Sequence, residues 1–387
     1  MRKIFIVIER RSDYSRFRPI LFMLNSDLFF KVYLVTTGLT LIKRHGRGID
    51  FIKNDGIRVN KEIPMYNNVN IDSPAEMVRG MSRFMMKIVD ELEWTKPDLV
   101  LSGFDIGAQL AVTIAAAHLN IPVVHLQGGE VSGSIDESIR HAISKFAHIH
   151  LVATEQSKKR LIKMGESPDK IYIVGCPSVD TLINCKKMRK EEVEKEFGVD
   201  FSKPVAILIQ HPVTTENKRS YSQIKTTIKA IKSLNLQVVI IMPNNDAGYS
   251  KIFREIHYSK IKAYPNLSAE KYSNLLRYSH LLVGNSSSGI HEAPTFKIPV
   301  VNIGTRQQGR ERAQNVIDVP CNKRMIVRAI KKALYNKSFR EKLRKVKNPY
   351  GTGKSAEKIV KILKTVSLRG IIQKRFYEQT LYGKLQS

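Results

Sequence analysis

Cysteine is scarce in this 387-residue chain, which has only Cys176, Cys185 and Cys321. An odd number without metal-ligand spacing excludes a disulfide framework and a zinc site, and it suits a reducing cytoplasm. Long apolar runs are missing too, so nothing approaches the roughly 18 residues a membrane span needs. The opening run Ile4–Ile8 lies behind Arg2 and Lys3, yet Glu9-Arg10-Arg11 follows at once. It is too short for a secretory leader and reads as a buried strand. Acidic residues are few, 35 against 64 Lys and Arg, for a net charge of +29. The imbalance is concentrated, because residues 321–387 hold 19 Lys/Arg and 3 Asp/Glu. Such a surface attracts nucleic acid, anionic lipid or a phosphorylated substrate, or it is simply a solvated face.

What is present describes a folded α/β protein. A composition of 42% hydrophobic and 8% aromatic residues excludes disorder and collagen, and the length exceeds what one hydrophobic core usually serves. Short apolar strands are predicted at 3–8, 31–35, 99–101, 123–126, 149–152 and 171–174. A second series follows at 205–210, 237–242, 260–263, 281–283 and 300–301. Helical patterns separate them at 73–92, 106–119, 186–196, 222–233 and 269–278. This alternation implies two doubly wound, Rossmann-like domains, each a parallel sheet covered by helices on both faces. The expected division is 1–178 and 179–365, followed by a C-terminal helix over 366–387 that packs back on the first domain. Its apolar side would carry Ile371, Ile372, Phe376 and Leu381. In such folds the ligand lies at the carboxyl ends of the strands, so the chemistry is expected in a cleft between the domains.

Several strand ends carry chemically useful residues. Leu281-Leu282-Val283-Gly284-Asn285-Ser286-Ser287-Ser288 runs from a strand into a small-residue turn and then a helix. Backbone N–H groups and hydroxyls there suit a phosphate, with Glu292 one turn on for ribose hydroxyls, although an ordinary N-cap uses the same serines. Gln210-His211-Pro212 and the loop around Asn244 end two further strands. His125-Leu126-Gln127-Gly128-Gly129-Glu130 leads into Asp136, Glu137, Arg140 and His141, a dense group of acids and bases. Carboxylates sharing one cleft are driven to different pKa values, one serving as acid and another as base, but the same residues also favour a helix N-terminus. Arg11-Ser12-Asp13-Tyr14 offers a guanidinium fork after the first strand, and Arg306, Arg310 and Arg312 add charge near a diphosphate. Gly351-Thr352-Gly353-Lys354-Ser355 looks like the end of a P-loop, but the glycine required five residues before Gly353 is Asn348, which excludes that reading.

Taken in order from Arg11 to Gly351, these segments resemble the hydrolysing UDP-N-acetylglucosamine 2-epimerases, which include bacterial sialic acid pathway enzymes and the epimerase half of the human bifunctional epimerase/kinase. The likeness is carried by Arg11-x-Asp13-Tyr14, Gly128-Gly129-Glu130 with Ile135-Asp136-Glu137-Ser138-Ile139-Arg140-His141, and His211-Pro212-Val213-Thr214. It continues through Gly284-Asn285-Ser286-Ser287-Ser288-Gly289, Asn302-Ile303-Gly304-Thr305-Arg306 and Asn348-Pro349-Tyr350-Gly351. The resemblance implies a glycosyltransferase-B-like fold with a UDP-sugar in the cleft. Its reaction eliminates UDP from UDP-N-acetylglucosamine, or a close 2-acetamido sugar, and hydrates the glycal to free N-acetylmannosamine or its counterpart. It implies UDP and substrate contacts from Arg11, Asp13, His125, Arg140, Asn244, Ser286, Ser287, Ser288, Glu292 and Arg306. Catalytic work falls to Asp105, Glu130, Asp136, Glu137 and His211, with His211 also among the residues that would hold the UDP part. Neither metal nor cofactor is implied, nor a nucleic acid partner. A cytoplasmic homodimer is expected, and the basic C-terminal region is suited to peripheral contact with an anionic membrane. Two positions depart from the family's pattern. Phe104 stands where its strand-end motif has Asp, with Asp105 in the Arg position, and Gln127 stands where it has Glu. A UDP-sugar-dependent transferase, or a catalytically altered relative on the same fold, is the alternative reading.

Overall fold

The computed structural model describes residues 1–66 and 72–378. Strands β1 (Arg2–Ile8), β2 (Phe30–Thr37), β3 (Lys61–Ile63), β4 (Leu99–Gly103), β5 (Val123–Leu126), β6 (Ile149–Val152) and β7 (Ile171–Ile173) form one sheet in the order β3-β2-β1-β4-β5-β6-β7. Strands β8 (Val205–Ile209), β9 (Gln237–Ile241), β10 (Ala263–Tyr264), β11 (Leu281–Gly284), β12 (Val300–Ile303) and β13 (Val316–Val319) form a second, in the order β10-β9-β8-β11-β12-β13. Every pairing is parallel. Helices cover both faces, so the central strands are buried throughout; Ile4–Ile8 and Val205–Ile209 are apolar at every position. In each sheet the winding reverses once, between β1 and β4 and between β8 and β11. A crevice opens at the carboxyl ends of those strand pairs, and the loops that line it follow from them.

Several edges differ from the sequence reading. The short edge strands β3 and β13 lie outside the expected series, although Val316, Ile317 and Val319 give β13 an apolar pattern. The strand expected over 260–263 is confined to Ala263–Tyr264, because Lys260 closes the helix Tyr249–Ser259 in a left-handed conformation (φ 58°). The helix expected from 186 begins at Lys190. The chain leaves the first lobe between Asn184 and Lys190, since the helix Pro177–Asn184 packs on Arg11–Ser26 while Val193 and Phe197 enter the second lobe's core. It returns sooner than a boundary at 365 implies. Ala356, Ile359, Val360 and Leu363 of the helix Ser355–Thr365 are buried in the first lobe's core.

The expected C-terminal helix is absent over the described residues 366–378; Leu381 lies outside them. The segment is a strap instead. Ile371 enters the first lobe's core, Lys374 Nζ donates to the carbonyls of Ser144 (3.0 Å) and Lys145 (2.8 Å), and Tyr377 N–H donates to the Gly165 carbonyl (2.9 Å). An ammonium placed on the last carbonyls of the helix Ile135–Phe146 satisfies groups that helix cannot satisfy itself. The Lys374 side chain and the Tyr377 backbone thus anchor the strap to the first lobe in place of helical bonds.

Candidate functional site

Between the lobes lies a cavity of about 370 Å³. Its second-lobe wall is built at the ends of β8 and β11. Gly284 has φ 128°, and a Cβ there would collide with the Ile209 carbonyl, so only glycine lets the two strand ends approach this closely. The next residue, Asn285, straps them together: its Oδ1 accepts from His211 N–H (2.7 Å) and its Nδ2 donates to the His211 carbonyl (2.8 Å). His211 Nδ1 accepts from Asn244 N–H (3.1 Å), and burial among Arg306, Arg11 and Arg10 holds the imidazole neutral, well below its ordinary pKa. With Nδ1 accepting, the proton sits on Nε2, leaving a neutral donor at the cavity wall. Ser286, Ser287, Ser288, Asn244, Glu292 and Arg306 line the same wall, and the Tyr272 hydroxyl bonds Ser288. The helix expected after the serines is one turn, Ser288–His291, continued by a 3₁₀ turn at Ala293–Phe296. The polar contribution of this wall therefore rests on individual donors rather than on a long helix dipole.

The first-lobe wall is assembled around buried carboxylates. Asp13 accepts from the backbone N–H groups of Glu9 (3.2 Å) and Arg10 (2.8 Å), and burial pushes its pKa up to about 7. Asp13 touches the cavity, but its oxygens are turned back on the loop, so its anticipated substrate contact becomes a bracing role. That bracing presents Arg10, which pairs with Asp246 (3.0 Å), and Arg11, which donates to Asn266 (3.0 Å), both across the cleft. At the end of β4, Phe104 adopts φ 70° and turns its ring inward against Phe17 (5.3 Å between centroids), with the Arg16 guanidinium over its face (4.5 Å). Asp105 is thereby the carboxylate that reaches the cavity, ion-paired with Arg140. Burial opposes its ionisation, but Arg140, Arg16 and Arg310 outweigh that and hold its pKa down. Asp136 shares the cavity, 3.6 Å from Arg306. Its pKa is raised, first by burial and then by the charges of Asp105 and Asp246. The two carboxylates interact and are driven in opposite directions.

Four anticipated site residues do not line the cavity. His125 is fully buried behind it, with Nε2 on the Phe104 carbonyl (3.1 Å) and Nδ1 on Ser144 Oγ (3.0 Å); burial pushes its pKa to about 3. It holds the turn that aims Asp105 and makes no wall of its own. Arg140 is consumed by Asp105 and by the Glu130 carbonyl (2.9 Å). Glu130 accepts from Gln127 Nε2 (2.9 Å) and from His291 Nε2 (3.0 Å), and pairs with Arg310 (3.2 Å). Burial opposes its charge, but His291 and Arg310 keep it ionised far below the usual range. It acts as a rivet between lobes. Glu137 accepts from Ser132 N–H and is half exposed. It caps a turn, as acidic residues at a helix start often do. Arg312 likewise pairs with Asp318 away from the cleft, whereas Arg310 reaches the cavity. Arg10, Arg16 and Tyr272 line the cavity from outside the sequence motifs, while Asp246 belongs to the loop around Asn244. Tandem arginines after β1 were the available signal for Arg10.

The lobes also meet through their backbones. Gly133 N–H donates to the Arg306 carbonyl (3.0 Å), and a Cβ on Gly133 would collide with the Thr305 carbonyl. No group of His, Cys, Asp and Glu able to hold a metal ion occurs among the described residues, and no described helix is long and apolar enough to cross a membrane.

A family model described as UDP-N-acetylglucosamine 2-epimerase matches residues 23–364. Among characterised relatives, a UDP-N,N'-diacetylbacillosamine 2-epimerase (hydrolyzing) of Legionella pneumophila is 37% identical over 96% of this chain and 98% of its own. A GDP/UDP-N,N'-diacetylbacillosamine 2-epimerase (hydrolyzing) of Campylobacter jejuni is 33% identical over 97% and 99%. The structure of Neisseria meningitidis UDP-GlcNAc 2-epimerase bound to UDP-GlcNAc superposes with a TM-score of 0.79 at 20% identity, covering 93% of this chain and 99% of that one. The fold is therefore the two-domain, glycosyltransferase-B-like one.

Proposed function

Since the chain belongs to the UDP-N-acetylglucosamine 2-epimerase family, we propose that it is a hydrolysing 2-epimerase of a UDP-2-acetamido sugar. The reaction releases UDP and the free sugar inverted at C2. The Legionella relative at 37% identity acts on a diacetamido sugar and a Neisseria meningitidis relative at 32% on UDP-N-acetylglucosamine, so the higher identity is what supports a diacetamido sugar as the preferred substrate. The observation that carries the reading is the pairing of two carboxylates at opposed pKa values, Asp105 and Asp136, in one cavity with His211, Arg306 and the three serines.

In the first step a carboxylate of the pair takes the C2 proton, the C2–H electrons form the C1=C2 bond, and the C1–O electrons leave with UDP. Charge then develops on the departing diphosphate. Arg306, Arg11, the His211 Nε2–H and the hydroxyls of Ser286, Ser287 and Ser288 are the donors that stabilise it. In the second step water adds its oxygen to C1 and leaves a proton with the solvent, while the second carboxylate, protonated from solvent, delivers its proton to C2. Inversion requires the proton to come back on the face opposite to the one it left. One carboxylate cannot stand on both faces, so the base and the acid are separate groups in this scheme. Asp136, whose raised pKa brings it nearer to neutrality, is the stronger base; Asp105, kept ionised by Arg140, keeps it so. Gln127 carries no proton in this scheme and serves to orient Glu130. A homodimer and a cytoplasmic location complete the proposal.

Incubation with UDP-N-acetylglucosamine and with UDP-N,N'-diacetylbacillosamine in deuterated water tests the reading. UDP release with deuterium at C2 of a free sugar is expected, faster for the diacetamido substrate. UDP release only when an acceptor is supplied would select the transferase instead.

A further inference from the structure

The structure separates the basic C-terminal region into two populations of cations. Those after residue 350 are partly consumed: Lys364 pairs with Asp27 (2.7 Å), and Lys374 with buried Glu166 (2.6 Å). Those before it are not. The consecutive helices Lys323–Tyr335 and Lys337–Arg344, with the three residues that follow, carry Lys323, Arg324, Arg328, Lys331, Lys332, Lys337, Arg340, Lys342, Arg344, Lys345 and Lys347 against the single acid Glu341. Each of these cations is exposed, and none pairs with a carboxylate among the described residues. Charged helices elsewhere in the same lobe behave differently. In and beside Lys190–Phe197, acids and bases alternate and pair as Lys190–Glu194, Arg189–Glu192 and Lys271–Glu196. A solvated helix face neutralises itself in that way. The face over 323–347 carries charge of one sign instead.

Two large apolar side chains share that face. Met325 (47% exposed) and Tyr335 (65% exposed) fall on one stripe of the first helix with Arg328 and Lys332, at spacings of three, four and three residues. The opposite stripe, Ile326, Ala329, Ile330 and Ala333, is buried against the second sheet. None of the eleven cations lines the cavity, so the cleft stays open to substrate when this face is covered.

We propose that the face over 323–347 docks the protein on an anionic lipid bilayer. A bilayer offers both things this surface presents partners for. Its phosphates meet the unpaired cations, and its headgroup–acyl boundary receives a thioether and a phenol ring flanked by cations. A nucleic acid duplex meets the cations with its phosphates but has no continuous apolar layer for the thioether and phenol ring to enter.

The test is co-sedimentation of the full-length protein with vesicles of 30% phosphatidylglycerol in phosphatidylcholine, beside vesicles of phosphatidylcholine alone. Binding is expected only to the anionic vesicles, and it should weaken steeply between 0.05 and 0.5 M salt, roughly the range over which the screening length falls from above 10 Å to a few Å. Arg328→Glu/Lys331→Glu/Lys332→Glu should lower the partition coefficient at least about tenfold while leaving UDP-sugar turnover unchanged. Met325→Ser/Tyr335→Ser should lower it several-fold and keep the salt dependence. Equal binding to both vesicle types, or to neither, overturns the proposal. So does an unchanged partition for the double serine variant, or tighter binding to duplex DNA at equal phosphate concentration.

Discussion

The two lobes share a strand order and present the same edge to the cleft, yet they use that edge differently. In the second lobe His211, Asn244, Ser286, Ser287, Ser288, Glu292, Arg306 and Arg310 reach the cavity wall, while Arg312 turns away to Asp318. In the first lobe more than half of the marked acids and bases stay behind the wall. His125, Glu130, Glu137 and Arg140 bond to one another's backbones, to the other lobe or to a turn, and only Asp105 and Asp136 of that dense group face inward. The lesson is one of function. In the proposed reaction, gripping a diphosphate takes many donors of moderate individual effect, so nearly all of them are displayed. Moving one proton takes two carboxylates at controlled pKa values, and the control comes from groups one layer out.

Variants can break this contrast. Asp136→Asn should reduce kcat by roughly a thousandfold with UDP affinity by calorimetry unchanged; a matched loss of UDP binding would place Asp136 among the diphosphate donors instead. Phe104→Ala removes a fully buried ring between Phe17 and Arg16. It should destabilise the fold by about 3–5 kcal/mol in urea denaturation, and it should slow turnover because Asp105 loses its support. For the same reason Phe104→Asp, which restores the family's residue, places a carboxylate in a packed core rather than in the cavity, and raised activity is not expected from it. His211→Asn should weaken UDP binding about tenfold and change the acid limb of the pH–rate profile little, since the imidazole is neutral over the working range. Asp105→Asn offers the finest test. Removing its charge lowers the pKa of Asp136, because a like charge no longer opposes ionisation, so the acid limb of kcat/KM should move to lower pH. A limb that stays put would leave burial and Asp246 as the causes of the raised value.

Much of the fold was legible from short apolar strands alternating with amphipathic helices, because parallel strands buried on both faces must be apolar throughout. The parts that were not legible have local causes. Nothing in Lys61-Glu62-Ile63 marks a strand; it pairs because β2 offers an open edge. Residues 366–378 have a passable helical pattern, but carbonyls at the end of the helix Ile135–Phe146 and at Gly165 recruit the segment's donors. Phe104 and Gln127, both at positive φ (70° and 61°), looked like lost catalytic groups in the sequence. In the fold each holds a neighbour in place, Asp105 for the one and Glu130 for the other.

The amino-acid order by itself determined two parallel α/β lobes, a polar turn after β11 and a group of carboxylates after β5, because periodicity, glycine placement and side-chain chemistry are local properties. Which of those carboxylates meets solvent in the cleft, and which is spent riveting the lobes, was decided by tertiary structure. A charge is displayed or consumed according to what lies within a few ångströms of it, and those neighbours come from strands and helices far apart along the chain.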